Sequence, residues 1–197
     1  LGLPLPSVVE KIRADLSTEL SKRKIVELDA NSYMKGQDFL NKIWKQVLAV
    51  PMGIAIVSKE MKISTISNIF YEIGVLNALG KETIVIKSSD YDIPSDFIRT
   101  EYIEYDDNFS DKINKFLDQV FELADHYELM GESLEANPLL AIDYFKRAYL
   151  INGNSEYFKK TKEISDGKDF DMQTKHCINN FLSTEKRLIM RNKKYGN

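Results

Sequence analysis

Asn68, Tyr71, Glu72 and Gly74 stand together in NIFYEIGVLNALGK, residues 68–81, where Glu72 is the only charged residue between Asn68 and Lys81. A carboxylate set among Ile, Phe, Tyr, Val and Leu has to reach solvent, a partner or a ligand, because burial without one raises its pKa and costs stability. In a crevice, such a group stabilises a developing positive charge or attacks as a nucleophile. The plainer alternative is a first-turn acid, held by the helix dipole at about 0.3–1 kcal/mol and otherwise idle. Gly74 likewise reads first as a position of close helix-to-strand packing.

Other chemistries find less support. His126 and His176 lie away from the strand-end loops, and neither has a partner at metal-ligand spacing, so no metal is expected. His176 beside Cys177 reads as a helix-surface pair. Neither G-x-G-x-x-G nor G-x-x-x-x-G-K-S/T occurs, and no cofactor is expected.

The elements that must position Glu72 follow from hydrophobic rhythm. Up to residue 129, short β-type runs alternate with amphipathic helical runs, the mark of a largely parallel sheet. The expected strands are LGLPL, KIVEL, MGIAIVS, ETIVIKS and EYIEYD. The expected helices are PSVVEKIRADLSTEL, GQDFLNKIWKQVLAV, the helix of Glu72 and SDKINKFLDQVFELADHYEL. Five strands and four helices in alternation predict an α/β fold: a doubly wound, mostly parallel five-stranded sheet of flavodoxin or Rossmann type. Residues 1–129 would form that domain, and 130–197 a small all-α segment. There NPLLAIDYFKRAYLINGN and SEYFKKTKEISDG resemble one tetratricopeptide-type hairpin, without a second copy to make an array. The last helix ends in Lys186, Arg187, Arg191, Lys193 and Lys194, cations favoured at a helix C-terminus. These C-terminal helices offer a surface for self-association or a protein partner.

In open α/β sheets, ligands bind at the carboxyl ends of the strands. Residues 3–7, 29–35, 58–68 and 88–99 reach that edge in the predicted topology. With Asn68 as the N-cap, Glu72 falls about one turn inside its helix, roughly 6 Å along the axis, and faces the crevice. Asp29, Asp90, Asp92 and Asp96 are strand-end acids suited to a ribose or, more ordinarily, to turns.

Composition bounds the rest. The 197 residues are 43% hydrophobic with ten Phe and ten Tyr, enough for one good core and a small second unit. A net charge of −3 gives no global attraction to nucleic acid or an anionic membrane. The single Cys177 excludes an intramolecular disulfide and fits a reducing compartment. No apolar run reaches the roughly 20 residues of a membrane helix, and no basic-then-apolar leader precedes the first strand, so a cytoplasmic protein is expected. The opening LGLPLPS lacks an initiator Met, so a segment upstream of Leu1, either removed or lying outside this sequence, is expected.

The string NIFYEIGVLNALGKETIVIK, preceded by PMGIAIVS and followed by IPSDFIRTEYIEYD, resembles the nucleoside 2-deoxyribosyltransferase-like group and the related TIR-like nucleotide-binding proteins of bacteria. The shared pattern is an apolar strand, Asn-x-x-Tyr-Glu-Ile/Leu-Gly, an alanine-containing helix end, Gly-Lys and another apolar strand, and it covers roughly residues 1–120. The resemblance implies that Glu72 is the nucleophile that attacks the sugar and releases the base. A carboxylate at the anomeric carbon stabilises an oxocarbenium-like state or forms a covalent intermediate. Asn68 and Tyr71 would orient Glu72 or a sugar hydroxyl. Leu3, Pro4 and Leu5 would form a wall, with Ser58 and Asp29 completing the substrate site. Ser58 stands where the family often carries an Asp, and no group for the departing base is identifiable. The expected partner is a nucleoside, nucleotide or NAD-like molecule, either cleaved at its base–ribose bond or bound without turnover by a sensing module of bacterial signalling or defence.

Overall fold

The structure, a computed structural model, describes residues 5–28, 47, 49–93, 101–134, 136–167, 170–176 and 178–179. The chain separates into two compact units, Leu1–Val120 and Phe121–Asn197.

The first unit is built on a β–α–β core. Strand β1 (Met52–Val57) leads into helix α2 (Ile63–Ala78), which returns the chain to β2 (Glu82–Lys87). β1 and β2 are parallel, in register from Met52 opposite Glu82 to Val57 opposite Lys87. β3 (Tyr102–Glu104) adds to β2, also in parallel. MGIAIV, and Ile84–Ile86 within ETIVIK, are unbroken apolar runs because a parallel strand is covered on both faces, and Val57, Val85 and Ile86 are fully buried. α2 lays Phe70, Ile73 and Leu76 into this core. The approach is close at Gly53, where an added Cβ would meet Leu76 Cδ1 at 2.3 Å.

Helix α1 (Ser7–Lys22) buries the stripe Val9, Ile12, Leu16 and Leu20. It is joined to the start of α3 (Phe109–Ser133) by a polar seam. Glu19, 7% exposed, accepts from Lys22 Nζ at 2.8 Å, Ser110 Oγ at 2.8 Å and Asn114 Nδ2 at 2.9 Å. Arg23 donates to Asn114 Oδ1 at 2.8 Å and to Asp118 Oδ1 at 2.5 Å.

The expected five-stranded, doubly wound sheet is not what forms. Among the described residues there is one sheet of three parallel strands in the order β1-β2-β3. A doubly wound sheet reverses direction beside its first strand, whereas this order advances one way, so no topological switch point arises among the described residues. KIVEL joins no strand: Lys24 takes a left-handed φ of 58° straight after α1, and Val26 is 68% exposed. Among the described residues it has no strand to pair with. Of LGLPL, only Leu5 is described, exposed and irregular ahead of α1. The predicted helix at 36–50 lies outside the described residues apart from its last few. EYIEYD contracts to three paired residues.

The second unit contains α4 (Pro138–Asn152) and α5 (Glu156–Asp166), which share one core. Asn137 caps α4 by accepting from Leu140 N–H, and Gly153 closes it at φ 69°. Phe145, Ala148, Tyr149, Tyr157 and Phe158 form its core. Residues 121–133 of α3 supply a third helical wall, close enough that a Cβ at Gly131 would meet the Phe145 ring at 2.7 Å. Tyr157 donates to Glu128 at 2.9 Å, and Lys160 bridges Glu128 and Glu132. Thr161 Oγ1 is buried without a hydrogen-bond partner. Among the described residues, no helix is long and apolar enough to cross a membrane.

The seam at Glu19 generates a pH-dependent expectation. The Lys22, Asn114 and Ser110 hydrogen bonds pull the Glu19 carboxyl down to about 2. A depressed folded-state pKa stabilises the fold above the unfolded value near 4.5, and that contribution is lost as pH falls from there toward about 2. Glu19→Gln should cost about 1–2 kcal/mol at pH 7. Urea unfolding of both proteins should show the gap closing below about pH 4.5.

Candidate functional site

The surface of the first unit carries an open groove of about 860 Å³ along one flank of α2. Its upper end is made by Lys59 and Met61, which follow β1, and by Tyr91, which follows β2. Both segments leave the carboxyl ends of parallel strands, the edge where such sheets place ligands. The wall is helical: Ile63, Ser67, Tyr71, Gly74 and Ala78 recur at three- and four-residue spacing and form one stripe. Ile63 is 83% and Tyr71 63% exposed, while Phe70 closes the floor from the core side. Burial pushes the Tyr91 hydroxyl pKa up. No carboxylate lines the groove among the described residues.

α2 begins six residues earlier than the Asn68 cap predicts. Its N-cap is Lys62, in extended conformation and without a side-chain cap. ISTIS, rich in β-branched and hydroxyl residues of modest helix propensity, is drawn into the helix because Ile66 packs against the core of the first unit. Glu72 thus lies nine residues beyond Ile63, about 14 Å along the axis, well past the first turn. The helix dipole is negligible at that depth.

Glu72 and Asn68 share a face four residues apart, as expected. At 100° per residue, however, Glu72 lies about 160° around α2 from Gly74, and it is not a groove-lining residue. It is half-buried, and no hydrogen bond or ion pair reaches it among the described residues. Desolvation pushes its carboxyl pKa up. Tyr71 is the one predicted α2 site residue in the groove. Ser58 is fully buried at the end of β1, its Oγ accepting from Glu60 N–H at 3.2 Å, so it builds the turn. Leu3, Pro4 and Asp29 lie outside the described residues, as do 94–99 of the expected rim. Asp90 accepts from Ser88 Oγ at 2.5 Å, a turn role. His126 is exposed beside Tyr127, and no metal-binding cluster occurs among the described residues.

Gly74 is a second correction. Among the described residues no atom lies within 4 Å of an added Cβ, so the packing expected of Gly74 is not found there, and the close approach belongs to Gly53 instead. Sequence reasoning included Lys59 and Tyr91 only within the edge segments 58–68 and 88–99 and singled out neither. The Ser67–Tyr71–Gly74–Ala78 periodicity was available to it once the helix start was set at residue 63.

In comparisons with known proteins, no family model matches the chain, and no curated protein or solved structure matches it significantly.

Gly74 provides a direct probe of the groove. Gly74→Ala should stabilise the protein by about 0.5–1 kcal/mol, because a helix-interior glycine gains propensity and the methyl meets nothing. Gly74→Leu should keep the fold, as judged by circular dichroism, while projecting a side chain into the groove. A loss of stability in Gly74→Ala would show that this flank is covered.

Proposed function

We propose that the protein binds a nucleoside or nucleotide in the α2 groove as a cytoplasmic sensing module, without turnover there. The lining carries this reading: two tyrosines and one lysine around an apolar floor, with no carboxylate among the described residues. Tyrosine rings offer stacking surface to a base, and an ammonium suits a phosphate. Breaking a glycosidic bond would need a carboxylate at the anomeric carbon. A nucleotide-like ligand, rather than another aromatic one, is favoured by the Asn68-x-x-Tyr71-Glu72-Ile73-Gly74 resemblance alone. The C-terminal hairpin would then pass the signal to a protein partner or a second copy.

A second reading, N-glycosidic cleavage by Glu72, is favoured by one specific observation. Glu72 is a half-buried carboxyl with a raised pKa and no described partner, the state in which catalytic acids are held at a cost in stability. The substrate would have to approach the Asn68–Glu72 face of α2, away from the groove.

A screen of nucleosides, nucleotides and NAD separates the two. Thermal stabilisation without product supports binding; a ligand at 100-fold its Kd contributes about 2.7 kcal/mol. Base release seen by mass spectrometry, and lost in Glu72→Gln, supports cleavage. Neither response in any arm rejects both. Glu72→Gln should itself raise Tm by about 1–3 °C at pH 7, since the ionised form is the one burial penalises. That advantage should fade as pH falls through the raised folded-state pKa, where wild-type Glu72 becomes neutral.

A further inference from the structure

We infer that Lys87 is the positioning residue of the groove, tethering the Tyr91 wall to the carboxyl end of the sheet; as a role in ligand binding, this rests on the binding reading above. Lys87 closes β2, opposite Val57 on one side and Glu104 on the other. It is only 9% exposed, and a lysine so placed is costly unless its ammonium is met. Three groups meet it. The Nζ donates to the Tyr91 carbonyl at 3.0 Å, pairs with Glu104 Oε2 at 3.1 Å and stands 5.8 Å from the centre of the Tyr102 ring.

Two of these groups belong to the sheet. Glu104 is the register partner of Lys87, and Tyr102 lies two residues earlier on the same face of β3. The third does not: Tyr91 sits four residues beyond Lys87, in the segment leaving the strand. Other hydrogen bonds at residues 88–91 close the turn on itself, Ser88 Oγ to Asp90 at 2.5 Å and Tyr91 N–H to the Ser88 carbonyl at 3.1 Å. Ser88 N–H reaches the Val57 carbonyl at 3.0 Å and anchors only the start of the turn. Among the described residues the ammonium is therefore the polar link from the rigid sheet to the far side of the turn, where Tyr91, its ring packed against the core of the first unit, forms the groove wall. A charge-assisted bond suits that task, being short and strong. Lys87 acts through Tyr91 and does not itself line the groove.

The tether can be read without any ligand. Lys87→Met keeps the buried stem and removes the ammonium, so hydrogen exchange at the Tyr91 amide should rise about tenfold or more, while Ile84, Val85 and Ile86 change little. Glu104→Gln removes the ion pair but leaves the carbonyl bond, and Tyr91 exchange should stay within about twofold. Adenosine 5′-monophosphate, followed by NMR shifts at Lys59, Ser67 and Tyr91, should bind Lys87→Met about tenfold more weakly than wild type, through lost preorganisation. Unchanged Tyr91 exchange in Lys87→Met, or equal acceleration across β2, would overturn the tether. Equal affinity of the wild type and Lys87→Met would overturn its role in binding. Faster Tyr91 exchange together with no response of the wild type to the nucleotide would support the tether and count against the nucleotide reading.

Discussion

The packing of α2 across β1 and β2 governs the first unit. A helix of sixteen residues has one stripe to bury, and α2 buries Phe70, Ile73 and Leu76. Gly53 lets it do so at short range, because Leu76 occupies the space a β-carbon would need. Once that stripe is fixed, the 3.6-residue repeat sends Gly74 and Tyr71 to one flank and Asn68 and Glu72 to the other. The groove and the lone carboxyl are thus two consequences of one packing decision. They cannot be merged without turning the helix and losing its core.

Much of this scaffold was legible in the sequence. MGIAIVS and the Ile84–Ile86 centre of ETIVIKS were plain because strands buried on both faces show apolar runs, and α1 was plain from Val9, Ile12 and Leu16. What was not legible depended on tertiary context. The ISTIS run lacks helix-forming residues and is helical because the core claims Ile66, which shifts Glu72 from the first turn to the interior. KIVEL has a strand's composition, yet a strand exists only with a partner, and composition does not supply one. Gly74 has the same neighbours in sequence whether it packs or stands open. Lys87 was not singled out, because two of its three partners, Tyr102 and Glu104, come to it only through the pairing of β3.

The second unit answers a question the sequence left open, namely how a single hairpin could be stable. α4 and α5 do not stand alone, because the rear of α3 closes their aromatic core through Gly131 and Tyr127. A glycine at 131 costs helix propensity and in return allows the Phe145 ring to lie against the backbone. Thr161, with its hydroxyl unpartnered at zero exposure, is the one described place where this core carries a polar burden without relief.

The seam between α1 and α3 also has a kinetic side. Glu19 meets Ser110 and Asn114, and Arg23 meets Asn114 and Asp118, across sequence separations of 91 and 95 residues. Closing loops of that length costs entropy before any contact repays it. The β1–α2–β2 unit spans far less chain and can assemble while those ends are still apart. In that order Glu19 and Arg23 would act as a latch that engages last and opens first. An interaction formed after the folding transition state leaves the folding rate nearly untouched and governs how long the native state persists once formed.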